Sequence, residues 1–219
     1  MADRGATMGT GAKLDMKKEL RFLYAPPTHP VFVEVPALRY LAVDGAIPEG
    51  TAGPAADPEF GRAIGALYSV SYTLKFAMKP SGRDFVVMPL EGLFWTDGTE
   101  KLAPGGFGAM RWTLMMLMPP WITDDDVAQA VSTLVDRGRL SGPSALRLVT
   151  LEEERAAQIL HVGPYADESP TIEKLHAFIE EHGLEPRSKH HEIYLSDPNR
   201  TAPERLKTVI RQPVRPRRA

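Results

Sequence analysis

The sequence predicts an α+β fold in which two copies of a βαββ module surround a central ligand cleft. Three observations support this prediction. The same order of strand and helix patterns occurs twice, each helix begins at a proline, and the next strand carries one glutamate among aromatic residues, at Glu91 and again at Glu192. The predicted units are module one at about 38–120, a connector helix at about 123–138 and module two at about 145–213, within one domain over 16–214.

Module one begins with an apolar strand over 40–45 that ends in glycine. Asp57 and Pro58 predict a helix start. The aspartate carboxylate can accept a hydrogen bond from a backbone N–H of the first turn, and proline at the first helical position has no N–H that would be left unpaired. Apolar residues then recur at helical spacing, and 80–82 ends the helix. A strand around Glu91 and a further strand over 108–118 complete the module.

Module two repeats this order, with a strand over 158–163 and a helix capped by Ser169 that starts at Pro170. Gly183 is typical of a left-handed helix stop, and strands around Glu192 and over 205–212 follow. Between the modules, Thr123 precedes three aspartates, which predicts a strong cap for the connector helix.

Side chains alternate between the two faces of a strand, so Glu91 shares a face with Trp95, and Glu192 shares one with His190 and Tyr194. A lone glutamate on a strand is more often exposed to solvent. Two at comparable module positions instead predict that both acids line one cleft with aromatic walls. Burial there would raise a carboxyl pKa and create a general acid or base.

Composition excludes several classes of function. The net charge of −2 gives no basic surface for nucleic acid, and the chain has no cysteine for disulfides or thiolate chemistry. No apolar run approaches the roughly twenty residues that span a bilayer, and we expect a cytoplasmic protein. We expect no cofactor, and no metal site because neighbouring His190 and His191 point to opposite faces. Residues 1–15 are predicted to be a disordered tail and 215–219 a basic tail. The basic cluster of Arg211, Arg215, Arg217 and Arg218 is predicted to belong to a solvated, loose terminal segment.

The strand over 108–118 leaves two interpretations open. One of its faces carries Met110, Trp112, Leu114, Met116 and Met118, which is typical either of a plain core or of an adaptable wall for an apolar ligand. The two tyrosines of the first helix, Tyr68 and Tyr72, are equally ambiguous. No GxSxG or SxxK pattern indicates a serine nucleophile.

Several separated segments resemble the GyrI-like small-molecule-binding family, over about 17–214. They are SYTLKFAMK at 71–79, PLEGLFW at 89–95, RWTLM at 111–115, HVGPY at 161–165 and HHEIYLSDP at 190–198. The resemblance implies paired βαββ modules around a ligand cleft, as in the effector-binding domains of multidrug-responsive regulators, where a cleft glutamate faces aromatic and often cationic ligands. No helix-turn-helix pattern precedes the domain, so regulation of DNA is not expected.

The chain is most similar to a stand-alone branch associated with hydrolysis of cyclopropane-bearing DNA-alkylating natural products of the yatakemycin and duocarmycin type. The resemblance implies that Glu192 activates water while Tyr165 or Tyr194 donates to the substrate carbonyl. The implied ligand-binding residues are Trp95, Trp112, Tyr72, Glu91, Tyr68, Tyr194 and Met116. Two departures are Ala166, where relatives often have an acid, and Phe94, where tryptophan is common. The alternatives are a binding protein that sequesters or senses hydrophobic or cationic drugs, and a module that binds a protein partner.

Overall fold

Nine β-strands join in one antiparallel sheet in the computed structural model, which describes residues 13–48, 51, 53–96, 110–140 and 145–217. The strands are β1 (Val31–Val35), β2 (Leu38–Ala46), β3 (Leu90–Thr96), β4 (Met110–Leu117), β5 (Arg147–Leu151), β6 (Glu154–Val162), β7 (Leu184–Pro186), β8 (His190–Tyr194) and β9 (Lys207–Pro216). The helices are α1 (Met16–Glu19), α2 (Arg21–Tyr24), α3 (Pro58–Met78), α4 (Asp124–Asp136) and α5 (Ser169–Glu181).

The strand order reveals the predicted duplication. The sheet runs β1-β6-β9-β8-β3-β4-β2-β5, with β7 added beside β9. One half is β2-α3-β3-β4 and the other is β6-α5-β8-β9, and the halves meet where β3 pairs with β8. The edge strands cross over between the halves. Strand β1 precedes the first half in the chain but pairs with β6 of the second, and β5 precedes the second half but pairs with β2 of the first. The prediction of an α+β fold with two βαββ units is confirmed.

The helix ends follow local sequence. The Asp57 carboxylate accepts the Glu59 N–H at 3.0 Å before α3, and Thr123 and Asp126 form a reciprocal capping box before α4. Helix α5 begins one residue earlier than predicted, so Glu168 rather than Ser169 occupies the cap. None of the described helices is both long and apolar enough to cross a bilayer.

Helices α3, α4 and α5 pack on the first face of the sheet, and α1 and α2 pack on the second face. Under α3 the Trp112 ring lies flat on Gly45, where an added Cβ would come within 2.0 Å of the ring. The methionine-rich face of β4 is core, since Met116 and Met118 are almost completely buried. The core interpretation of this strand is therefore the correct one.

The second face hides four charged side chains, Glu91, Glu153, His191 and Arg211, which we call the buried ion cluster. Arg211 Nη1 donates to Glu153 Oε2 at 3.0 Å, and the two ring nitrogens of His191 each lie 3.0 Å from a carboxylate, one of Glu153 and one of Glu91. The assignment of Arg211 to a loose tail is wrong, because β9 continues through Pro216 and buries this arginine. Charges at such depth persist only when they are paired.

Two parts of the predicted tails, residues 1–12 and 218–219, lie outside the described residues. The first two residues of the predicted strand 108–118 also lie outside them. At the N-terminus, Leu14 forms a parallel bridge with Phe85, and its N–H donates to the Asp84 carbonyl at 2.9 Å. Ordered structure therefore begins before residue 16.

Candidate functional site

Glu192 lies near the centre of the first face, on β8 and opposite Gly92 of β3. The Tyr194 O–H donates to Glu192 Oε2 at 2.7 Å, and His190 Nε2 lies 3.2 Å from Glu192 Oε1. The three side chains stand together because residues two apart on a strand share a face. Only 13% of the Glu192 side chain is exposed, so the carboxylate is largely but not completely shielded from solvent.

A second carboxyl group, that of Glu168, lies beside Glu192. It belongs to the N-cap of α5, and only 5% of the residue is exposed. Burial, followed by the nearby charge of Glu192, raises the pKa of Glu168 to about 9. Among the described residues, its Oε1 has no hydrogen-bond partner. Glu168 therefore holds a proton at neutral pH and can donate it.

Glu192 has the opposite protonation state. Burial alone would raise its pKa, but the hydrogen bonds from His190 and Tyr194 lower it below the usual value. Two neighbouring carboxyl groups with pKa values moved apart form an acid and base pair, which is the arrangement needed for proton transfer in both directions.

Tyrosines form the walls around this pair. The ring of Tyr165, in the turn before α5, packs edge-on against Tyr194 with centroids 5.5 Å apart. Burial and the adjacent Glu168 raise the pKa of Tyr165, and Tyr68 of α3 contributes to the same shift. The structure thus brings together Glu192, Glu168, Tyr165, Tyr194 and Tyr68, and we call these five side chains the Glu192 cleft. Tyr72 lies next to the cleft, stacked on Tyr68 with ring centroids 6.5 Å apart.

The prediction that both strand glutamates line one cleft is wrong. Glu91 pairs across the sheet with Ile193, whereas Glu192 pairs with Gly92. Since directly opposite residues share a face and adjacent residues do not, the two carboxylates lie on opposite faces. Glu91 is fully buried and accepts the Tyr24 O–H at 2.6 Å.

Trp95 also lies away from the cleft, because it shares the face of Glu91. The Lys189 ammonium sits 3.4 Å from the centre of its ring. Trp112 and Met116 are on the first face but are 1% and 0% exposed beneath α3, where the Met116 sulfur accepts the Ser71 O–H at 3.2 Å. These three side chains therefore do not line the Glu192 cleft.

Sequence reasoning did not select Glu168. The available indication was an acid two residues before the proline that starts a helix, which is common in simple caps. Its proximity to Glu192 depends on the pairing of distant strands. Within the described residues, no group of three or more histidine, aspartate or glutamate side chains has the arrangement of a metal site.

Comparison with known proteins identifies the family. The model of the GyrI-like small molecule binding domain matches residues 118–215. A crystal structure of an uncharacterized conserved protein from Listeria innocua is 35% identical, with a TM-score of 0.82 over 93% of this chain and 100% of that one. The chain belongs to the GyrI-like family. The resemblance seen in the sequence is confirmed, and the chain is a GyrI-like small-molecule-binding protein.

Other comparisons place this GyrI-like protein among related folds. A structure described as a hydrolase from Listeria innocua is 34% identical, with a TM-score of 0.77 over 93% of this chain and 100% of that one. The EcmrR C-terminal domain shares only 13% identity, with a TM-score of 0.55 over 86% of this chain and 98% of that one, and it shows the common fold. A search of curated proteins found no match.

Proposed function

We propose that this GyrI-like protein is a cofactor-independent hydrolase that opens the cyclopropane ring of DNA-alkylating natural products of the yatakemycin and duocarmycin type. Water addition would destroy the alkylating group and so detoxify the compound, giving drug resistance. The observation that carries the proposal is that two largely buried carboxyl groups, Glu192 and Glu168, lie side by side among tyrosines, where their surroundings lower the pKa of Glu192 and raise that of Glu168. The hydrolase description of a 34% identical Listeria protein supports the reaction class.

The reaction needs a base and a proton donor at opposite ends of a short conjugated system. Water forms a C–O bond to the ring carbon as the strained C–C bond breaks, and its proton passes to Glu192. The electron pair of the broken bond moves through the dienone to the carbonyl oxygen, which becomes a phenol oxygen when it gains a proton. Atoms and charge balance with one water and no co-reactant.

Tyr165 and Glu168 are the two groups suited to supply that proton. The Tyr194 hydroxyl already donates to Glu192, so it orients the base. Tyr165 is 39% exposed and packs edge-on against Tyr194, so a planar substrate that reaches Glu192 would contact it. Glu168, which lies next to Tyr165, would then return a proton to the Tyr165 hydroxyl. Stabilising charge as it develops on the oxygen is the largest effect such donors have.

A non-catalytic drug-binding protein is the alternative, and one observation favours it. An ionised carboxylate beside tyrosine rings also attracts hydrophobic cations. Such a protein would sequester its ligand without changing it.

Mass spectrometry of a cyclopropane-bearing alkylator incubated with the protein separates the two functions. The hydrolase should yield many equivalents of product with one added water, whereas stoichiometric capture of unchanged compound would favour sequestration. Glu192→Gln should lower turnover by about a hundredfold to ten-thousandfold while retaining ligand binding. Glu173→Gln, an exposed glutamate on α5, is the matched control and should behave as the wild type. Turnover by Glu192→Gln at the wild-type rate would remove Glu192 from its assigned role.

A further inference from the structure

A cavity lies beside the Glu192 cleft, between α3 and α4, and shares Tyr68 with it. Its volume is about 860 Å³, within the range of sites that hold drug-sized molecules. Among the residues that the structure describes, its lining includes none of Glu168, Tyr165, Glu192 or Tyr194. We call it the α3–α4 groove.

One wall of the groove is a ladder of aromatic rings on α3. Tyr68, Tyr72 and Phe76 follow at four-residue spacing, and successive centroids are 6.5 and 6.3 Å apart with interplanar angles of 24° and 25°. These side chains are 37%, 47% and 60% exposed. Aromatic rings that are exposed to solvent lack the large stabilisation that burial would give them. A contiguous set of such rings therefore indicates a binding surface.

The rest of the lining makes room for a flat molecule. Ser69, Thr73 and Ala77 of α3 are small, and the Thr73 O–H is turned inward to the Ser69 carbonyl at 2.8 Å. The facing side chains of α4 include Ala130 and Thr133. A planar guest could therefore lie close to the helix backbone with its face against the aromatic ladder.

The charged groups of the lining determine the sign of the ligand. Arg83, Arg137 and Arg139 line the groove, against one acidic residue, Asp126. The Asp126 carboxylate already accepts the Thr123 N–H at 2.9 Å and the Thr123 O–H at 2.7 Å. The described side chains of the lining therefore carry a net positive charge, although the whole chain carries a net charge of −2.

We infer that the α3–α4 groove is a second ligand-binding site, selective for flat aromatic anions such as aromatic carboxylates or sulfonates. The aromatic ladder stacks on the ring system, and the arginines bind the anionic group. Guanidinium groups suit both roles because they pair with carboxylates and sulfonates and also stack on rings. The groove shares Tyr68 with the Glu192 cleft, but none of the arginines that bind the anion takes part in the hydrolysis proposed there.

Fluorescence titration with two dyes tests the site. Anilinonaphthalene sulfonate is an aromatic anion, and phenylnaphthylamine is its uncharged counterpart. Tyr72→Ala should raise the Kd of both dyes, whereas a double variant with Arg137→Ala and Arg139→Ala should raise only that of the sulfonate, by about tenfold or more. Arg21→Ala, an exposed arginine on α2, is the matched control and should leave both Kd values unchanged.

The side chains substituted in the groove variants and in the Arg21→Ala control are exposed, so these variants should keep the wild-type unfolding midpoint. The inference is overturned if the wild type binds no sulfonate dye, or if the arginine double variant binds it as the wild type does. It is also overturned if Glu192→Gln changes sulfonate binding more than the groove variants do, because the dye would then occupy the Glu192 cleft.

Discussion

Replacing Arg211 by methionine should destabilise the protein by about 3–5 kcal/mol, which is the usual cost of removing one partner from a buried ion pair. Arg211 is 1% exposed, and its guanidinium donates to Glu153 at 3.0 Å, to the Leu23 carbonyl at 2.9 Å and to Gln158 at 3.2 Å. Methionine retains much of the side-chain volume, so the effect reports the lost charge and hydrogen bonds. Among the described residues, the Glu153 carboxylate would then keep His191 alone as a cationic partner.

Urea unfolding monitored by tryptophan fluorescence measures this change. Arg147→Met is the matched control, because the Arg147–Asp44 pair is about half exposed on each side and should contribute about 0–1 kcal/mol. Adding Glu153→Gln to Arg211→Met should recover part of the loss, since it removes the uncompensated charge. The reasoning fails if Arg211→Met costs no more than Arg147→Met, or if the two cluster substitutions simply add.

Two further predictions concern stability. The free energy of unfolding should fall as pH rises from about 6.5 to 9, because His191 and Glu168, each with a pKa of about 9, keep protons that the unfolded chain has released. Burial by itself would lower the pKa of His191, but its carboxylate neighbours raise it, whereas burial is the main cause of the raised pKa of Glu168. A urea midpoint that does not change with pH over this range would contradict both shifts. Gly45→Ala should cost about 1–3 kcal/mol because its Cβ would overlap the Trp112 ring, whereas Gly65→Ala, with open space around it, should be neutral or stabilising. Equal unfolding midpoints for the two alanine variants would refute this packing argument.

Local sequence was sufficient for much of the fold. One or two residues can be enough to predict where a helix begins. Asp57 and Pro58 predict the start of α3, and the capping residue Thr123 predicts the start of α4. The repeated order of these patterns predicted the two βαββ units. The family motifs added the family itself and selected Glu192, Tyr165 and Tyr194.

The relation between faces required the tertiary structure. Alternation within a strand correctly grouped His190 with Glu192 and Tyr194, but it contains no information on the register between strands. The prediction that Glu91 and Glu192 share a cleft was wrong because of that register. Glu91 lies opposite Ile193, so its side chain points to the other face of the sheet from that of Glu192.

The sequence by itself determined the fold class, the starts of α3 and α4 and one carboxylate of the candidate site, because these depend on patterns of neighbouring residues in the chain. Only the tertiary structure decided that Glu168 joins Glu192, that Trp112 is core and that Arg211 is buried. Burial and charge proximity arise from residues far apart in sequence, and they set the protonation states on which the chemistry of the cleft depends.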